Sequence, residues 1–173
     1  MFSINPQLPA LQSRSCVFSD YNEAWIADTL QDAAERAGIS LPFKDEITRS
    51  VMLYLEEYYP LSSMPLEYLF KRMRAMLREV GLSRLADHLA VRTPAVDISL
   101  TELASHAPLP LLFFPTLKEE VAKWRDIGVS SCAFTGRREC ALILSGKKRW
   151  SARSREMLEE LDGFIEELPI AYH

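Results

Sequence analysis

The chain has 173 residues, 48% of them hydrophobic and 25% charged, with a formal net charge of −4. That mixture excludes a disordered polar chain, and the acidic balance removes any overall pull toward nucleic acid or anionic lipid. Three scattered cysteines, Cys16, Cys132 and Cys140, do not make a secreted disulfide framework.

The first residues lack the basic start and continuous apolar run of a signal peptide. The longest apolar run, 109–114, is interrupted by Pro110 and flanked by Pro108 and Pro115. It is far shorter than the roughly 20 residues of a membrane span. A soluble cytoplasmic protein with no membrane attachment is therefore expected.

Residues 1–20 read as a loose arm followed by a strand or hairpin near 10–20, on the alternation of Cys16, Val17 and Phe18. Trp25, Ile26, Leu30, Ala33 and Ala37 repeat at helical spacing over 22–37, and Gly38 supplies a stop. Ile47, Val51, Leu55 and Tyr58 define a second helix over 44–58, ended by Pro60. A third starts near Pro65, buries Leu66, Leu69, Phe70, Met73, Leu77 and Val80, and stops at Gly81. A fourth covers about 83–91.

Thr93-Pro94 marks a boundary, and 93–115 reads as a connector with one helical turn at 100–105. Thr116 with Glu119 has the spacing of a capping box opening a further helix, closed by Gly128. Two strand-like runs, 129–135 and 139–145, flank Gly136 and predict a β-hairpin. The last helix spans 152–168. These elements predict an α+β fold: a helical domain over 1–92 and an α-β-β-α subdomain over 93–173. Halves of that size are marginal alone, which favours one shared core.

No catalytic constellation emerges, so the chain does not read as an enzyme. The three cysteines with His88, His106 and His173 show no metal-ligand spacing. Cys132 and Cys140 face each other across the expected hairpin only if its loop has three residues; the plainer reading is two small buried side chains. No nucleophile elbow exists. Ser145-Gly146-Lys147-Lys148 sits where a phosphate loop would, but Ala141 replaces its first glycine and Lys148 its hydroxyl residue. Glu56-Glu57 and Glu159-Glu160 read as solvent faces. The group Tyr54, Tyr58, Tyr59, Tyr68 and Phe70 reads as core packing.

The clearest charge feature is basic: Arg137, Arg138, Lys147, Lys148, Arg149, Arg153 and Arg155 against one acid, Glu139. On the hairpin it splits into a patch at the tip (Arg137, Arg138) and one at the far strand end (Lys147–Arg149). Trp150 lies in the second group, placed to stack on a base or nucleotide ring. The plainer reading is a solvated segment balanced by the acidic tail of the last helix. Cations in a first helical turn oppose the helix dipole, which favours a compensating anion or acidic partner.

Arg14, Tyr21 and Ile26, followed by Leu30, Ala33, Ala37 and Gly38, resemble the start of an ATP-cone domain. That family opens with a strand pair carrying hydrophobic-x-Lys-Arg-x-Gly, then an aromatic residue, then a helix beginning x-x-x-x-Ile. Arg14, Tyr21 and Ile26 fall on its arginine, aromatic and isoleucine without a gap. The stripes Ile47–Val51–Leu55 and Leu69–Met73–Leu77 are similar to its second and third helices, and 81–89 to its closing helix. Ser13 replaces the family's lysine and Cys16 its glycine. The resemblance covers about half the chain. It implies a regulatory module for ATP or dATP, with Ser13, Arg14, Ser15 and Lys44 facing phosphate, on a scaffold that has lost two ligand positions. No other cofactor is expected. The alternative is an interaction protein whose basic segment, Arg137, Arg138, Lys147, Lys148, Arg149 and Trp150, meets nucleic acid or an acidic protein.

Overall fold

A computed structural model describes residues 8–14, 16–58 and 63–172. Ser15, Tyr59 and His173 lie outside the described residues. The chain is α+β and divides into two compact units, Met1–Pro94 and Ala95–His173.

The first unit begins with β1 (Ala10–Ser13) and β2 (Cys16–Phe18), paired antiparallel with Ser13 opposite Cys16. Helix α1 (Glu23–Ala37) follows. The Asn22 side chain accepts the Trp25 N–H at 3.3 Å to start it, and Gly38 ends it in the left-handed region. Helix α2 is Lys44–Tyr58. The chain then supplies β3 (Ser63–Pro65), parallel to β1, giving a sheet of order β2-β1-β3. Helices α3 (Leu66–Glu79) and α4 (Ser83–His88) complete the unit. Pro65 precedes the third helix rather than lying in its first turn, and β3 was not foreseen.

The expected helical stripes are the buried ones: Ile26, Leu30 and Ala33 on α1, Val51 and Leu55 on α2, Leu69, Phe70 and Leu77 on α3. Val80, expected inward, is 62% exposed. It lies just past the last turn of α3, where the chain leaves the helical register. Helix α1 packs on α2 and α4, and α3 on α4.

The second unit has a different architecture from the expected one. It runs β4 (Val96–Ser99), α5 (Leu100–His106), α6 (Pro110–Asp126), β5 (Ser131–Thr135), α7 (Arg137–Leu144), α8 (Ala152–Glu166) and β6 (Ala171–Tyr172). The sheet is parallel, in order β4-β5-β6, and each crossover is a pair of helices. No hairpin forms at Gly136. The run expected as its second strand is α7: Gly136 turns the chain with φ 72°, and Cys140 N–H donates to the Gly136 carbonyl at 2.9 Å. Cys140, Ala141 and Leu144 are buried on one helical face. A short unbroken apolar run fits strand and helix alike, and its Arg, Glu, Ala and Leu favour helix.

The capping box at Thr116 is also corrected. Helix α6 starts earlier, with Pro110 in its first turn, and continues through Pro115. Thr116 is therefore interior, and its hydroxyl donates to the Leu112 carbonyl at 2.7 Å. The buried series Phe113, Leu117, Val121 holds this turn in the helix despite the proline. The core of this unit joins that series to Ile98, Cys132 and Phe134 from the sheet and Leu161 and Ile165 from α8.

Candidate functional site

The β1–β2 connection is two residues long, because Ser13 and Cys16 are partners across the ladder. A turn that tight requires positive φ. Arg14 takes it, with φ 51°, and is the one non-glycine residue to do so among the described residues. Its side chain is exposed and no ion pair among the described residues engages it. Ser13 is half-buried, and Lys44 opens α2 half-buried. Below the turn, Tyr21 donates its hydroxyl to the Pro9 carbonyl at 2.6 Å and packs edge-on to Trp25. Burial pushes the Tyr21 phenol up to about 12.

In the second unit the basic residues do not split as expected. Arg138 begins α7 and Trp150 lies just before α8, yet the Arg138 guanidinium carbon sits 4.4 Å from the Trp150 ring centroid. Replacing the hairpin by a short helix and a return loop brings them together. Arg137 is bound to Asp162 at 3.0 Å. Lys147, Lys148 and Arg149 are exposed in the α7–α8 connection, without an ion pair among the described residues. Ser145, Ser151 and Ser154 form a hydroxyl chain beneath it, with links of 3.1 Å.

Among the remaining candidates, Cys132 and Cys140 are buried and His88 and His106 exposed. Cys132 (β5) and Cys140 (α7) are fully buried in one core. Burial, with a smaller contribution from the Glu120 charge, pushes the Cys132 thiol up to about 11, and burial pushes Cys140 up to about 12. Both are thiols, not thiolates, at neutral pH. His88 and His106 each place Nδ1 2.9 Å from the carbonyl four residues back, at the end of a short helix. Among the described residues no group of three or more His, Cys, Asp or Glu is arranged to hold a metal. Among them no helix is long and apolar enough to cross a membrane.

One arrangement was read in the sequence as plain core. Tyr54 and Tyr58 on α2 meet Tyr68 and Arg72 on α3. The Tyr54 and Tyr58 ring centroids are 4.6 Å apart, the Tyr58 and Tyr68 hydroxyls 3.5 Å apart, and Arg72 lies over the Tyr54 ring at 5.7 Å. Tyr54 Oη is shielded from solvent, beside the Tyr58 and Tyr68 hydroxyls. Burial first, then the adjoining Tyr58 and Tyr68 hydroxyls, raises the Tyr54 pKa far above its ordinary value. The Tyr58 pKa is lowered, first by the Tyr54 hydroxyl, then by Tyr68 and the Arg72 charge. Beside this cluster a cavity of about 140 Å³ opens between α2 and α3, lined by Val51, Tyr54, Leu69, Arg72, Met73 and Met76. Two i, i+4 pairs, 54/58 and 68/72, were the available sequence signal.

No family model, curated protein or solved structure matches the chain.

Proposed function

We propose that the protein is a regulatory module whose first unit is an ATP-cone-like scaffold that takes ATP or dATP at the β1–β2 turn. Arg14 is the principal phosphate ligand, and Ser13, Ser15 and Lys44 complete the set. The observation that carries this reading is Arg14 itself. A β1–β2 turn of two residues needs positive φ, which glycine or asparagine meets at little cost. This chain places an exposed, unengaged guanidinium there instead. Strain of this kind concentrates where a side chain has work to do. Tyr21 and Ile26, the other two residues of the resemblance, are buried immediately after the strand pair and support it.

A thermal-shift titration with magnesium and ATP or dATP tests the reading. At a hundredfold excess over the dissociation constant the nucleotide adds about 2.7 kcal/mol of stability, a rise of several degrees. Arg14→Ala abolishes the shift. Absence of any shift at millimolar nucleotide refutes a working nucleotide site.

The second reading, an interaction protein, draws on the Arg138–Trp150 stack and the exposed Lys147, Lys148 and Arg149. If these three cations meet single-stranded nucleic acid, log affinity falls with log salt at a slope of about −2. A slope near zero rejects nucleic acid and leaves an acidic protein as the partner for this segment.

A further inference from the structure

We propose that the second unit docks a cationic amphipathic helix of another protein along the groove between the start of α6 and the end of α8. The inference rests on neither the nucleotide reading nor the basic segment. Phe114 and Phe164, both half-buried, make the floor with ring centroids 4.8 Å apart, and Glu160, Gly163 and Glu167 complete the lining. Leu111 stands three residues before Phe114, a neighbour on the surface of α6, and is 85% exposed. It extends the apolar floor beyond the hollow, as interaction surfaces do. The hollow is open and about 260 Å³, below the roughly 300–1,000 Å³ of sites that enclose a small ligand. It suits the side chains of a partner helix laid across it.

Two observations choose the occupant. Gly163 lies inside α8 without the left-handed backbone that calls for glycine, and a Cβ placed on it meets nothing within 4 Å. Alanine would fit there and favour the helix. Glycine instead leaves room for a second backbone to come close. The other observation is charge. Glu160 and Glu167 flank the aromatic floor with no ion pair among the described residues. Helix α8 ends at Glu166 and Glu167 with no basic residue in its last turn, so these acids add to the negative end of the helix dipole. Lysine or arginine beside apolar anchors relieves both. An acidic partner or an anionic lipid surface is repelled.

The test is an amide NMR titration of the 15N-labelled full chain with three probes: an amphipathic Leu/Lys peptide of about 14 residues, its Leu/Glu counterpart, and a non-amphipathic Lys/Ser peptide of equal positive charge. The Leu/Lys peptide shifts the first turns of α6 and the last turns of α8 saturably and leaves α1, in the first unit, unmoved. The other two probes leave the groove unmoved. Leu111→Ser lowers the Leu/Lys affinity about tenfold. Glu160→Gln with Glu167→Gln lowers it a few-fold and flattens its salt dependence. Gly163→Ala raises the melting temperature by a few degrees yet lowers the affinity about tenfold, a split that a purely structural glycine does not produce. An equal response to the Lys/Ser peptide, or Leu/Lys affinity indifferent to both Leu111→Ser and Gly163→Ala, reduces the effect to general charge attraction and overturns the groove. No response to the Leu/Lys peptide overturns the site. Concentration-dependent self-association in sedimentation that Leu111→Ser abolishes assigns the face to a second copy and overturns the heterologous partner.

Discussion

Arg14 and Gly136 each come directly after the last residue of a strand, one in each unit, and each has a left-handed backbone, with φ 51° and 72°. Their surroundings differ. A Cβ placed on Gly136 would run into Thr101 Oγ1, and the Thr101 hydroxyl itself donates to the Gly136 carbonyl at 3.3 Å. The side chain of Arg14 stands in solvent. In the second unit the close approach of α5 makes glycine obligatory. In the first, the turn tolerates a side chain at the expense of local strain, and that freedom is what makes Arg14 a candidate ligand.

The comparison can be broken most directly at Gly136. Gly136→Ala combines left-handed strain with overpacking and is expected to cost about 3 kcal/mol in urea unfolding. Adding Thr101→Ala should return about 1 kcal/mol by opening space. A cost below about 1 kcal/mol, within the range of an ordinary glycine substitution, would remove the distinction between the two turns.

Base unfolding comes next in size. Cys132 and Cys140 have folded pKa values of about 11 and about 12 against an ordinary 9.0. Their raised values mean that the stability they contribute is whole below pH 9.0 and is lost as pH rises through about 11 and about 12. In the first unit Tyr21 acts only between pH 10.0 and about 12. Stability should therefore begin to fall near pH 9, and Cys132→Ala with Cys140→Ala should flatten that early fall more than Tyr21→Phe does. At neutral pH Tyr21→Phe leaves the Pro9 carbonyl unpaired and should cost about 1 kcal/mol by chemical denaturation.

The smallest effect sharpens the comparison most. Arg14→Gly relieves roughly 1–2 kcal/mol of left-handed strain but adds about 1 kcal/mol of unfolded-chain entropy. A net gain of about 0.5 kcal/mol is expected, together with loss of any nucleotide-induced thermal shift. More stable yet unable to respond is the signature of a residue kept for its guanidinium. Destabilisation by Arg14→Gly would instead give the side chain a structural role.

The first unit was legible because its helices are long and their apolar stripes regular, so 22–37 and 44–58 match α1 and α2 within a residue. The second unit was not. Its sheet is parallel, so each strand pairs with one far along the chain, and four residues at Val96–Ser99 carry too little pattern to show as a strand. The run 140–144 satisfied both strand and helix templates. The basic residues could be counted from the sequence, but the Arg138–Trp150 stack depends on where the α7–α8 loop returns. The tyrosines are visible in the sequence as aromatics, yet a shielded hydroxyl set among tyrosines of α2 and α3 is a property of two helices together.

The sequence by itself determined the α+β class, the helical course of the first unit and the basic segment, because those rest on local periodicity and residue chemistry. Tertiary structure alone decided the parallel sheet, the helical fate of 137–144, the burial of both core thiols and the pairing of Tyr54 with Arg72. Each of those turns on contacts between residues distant in sequence, and no local window contains both partners.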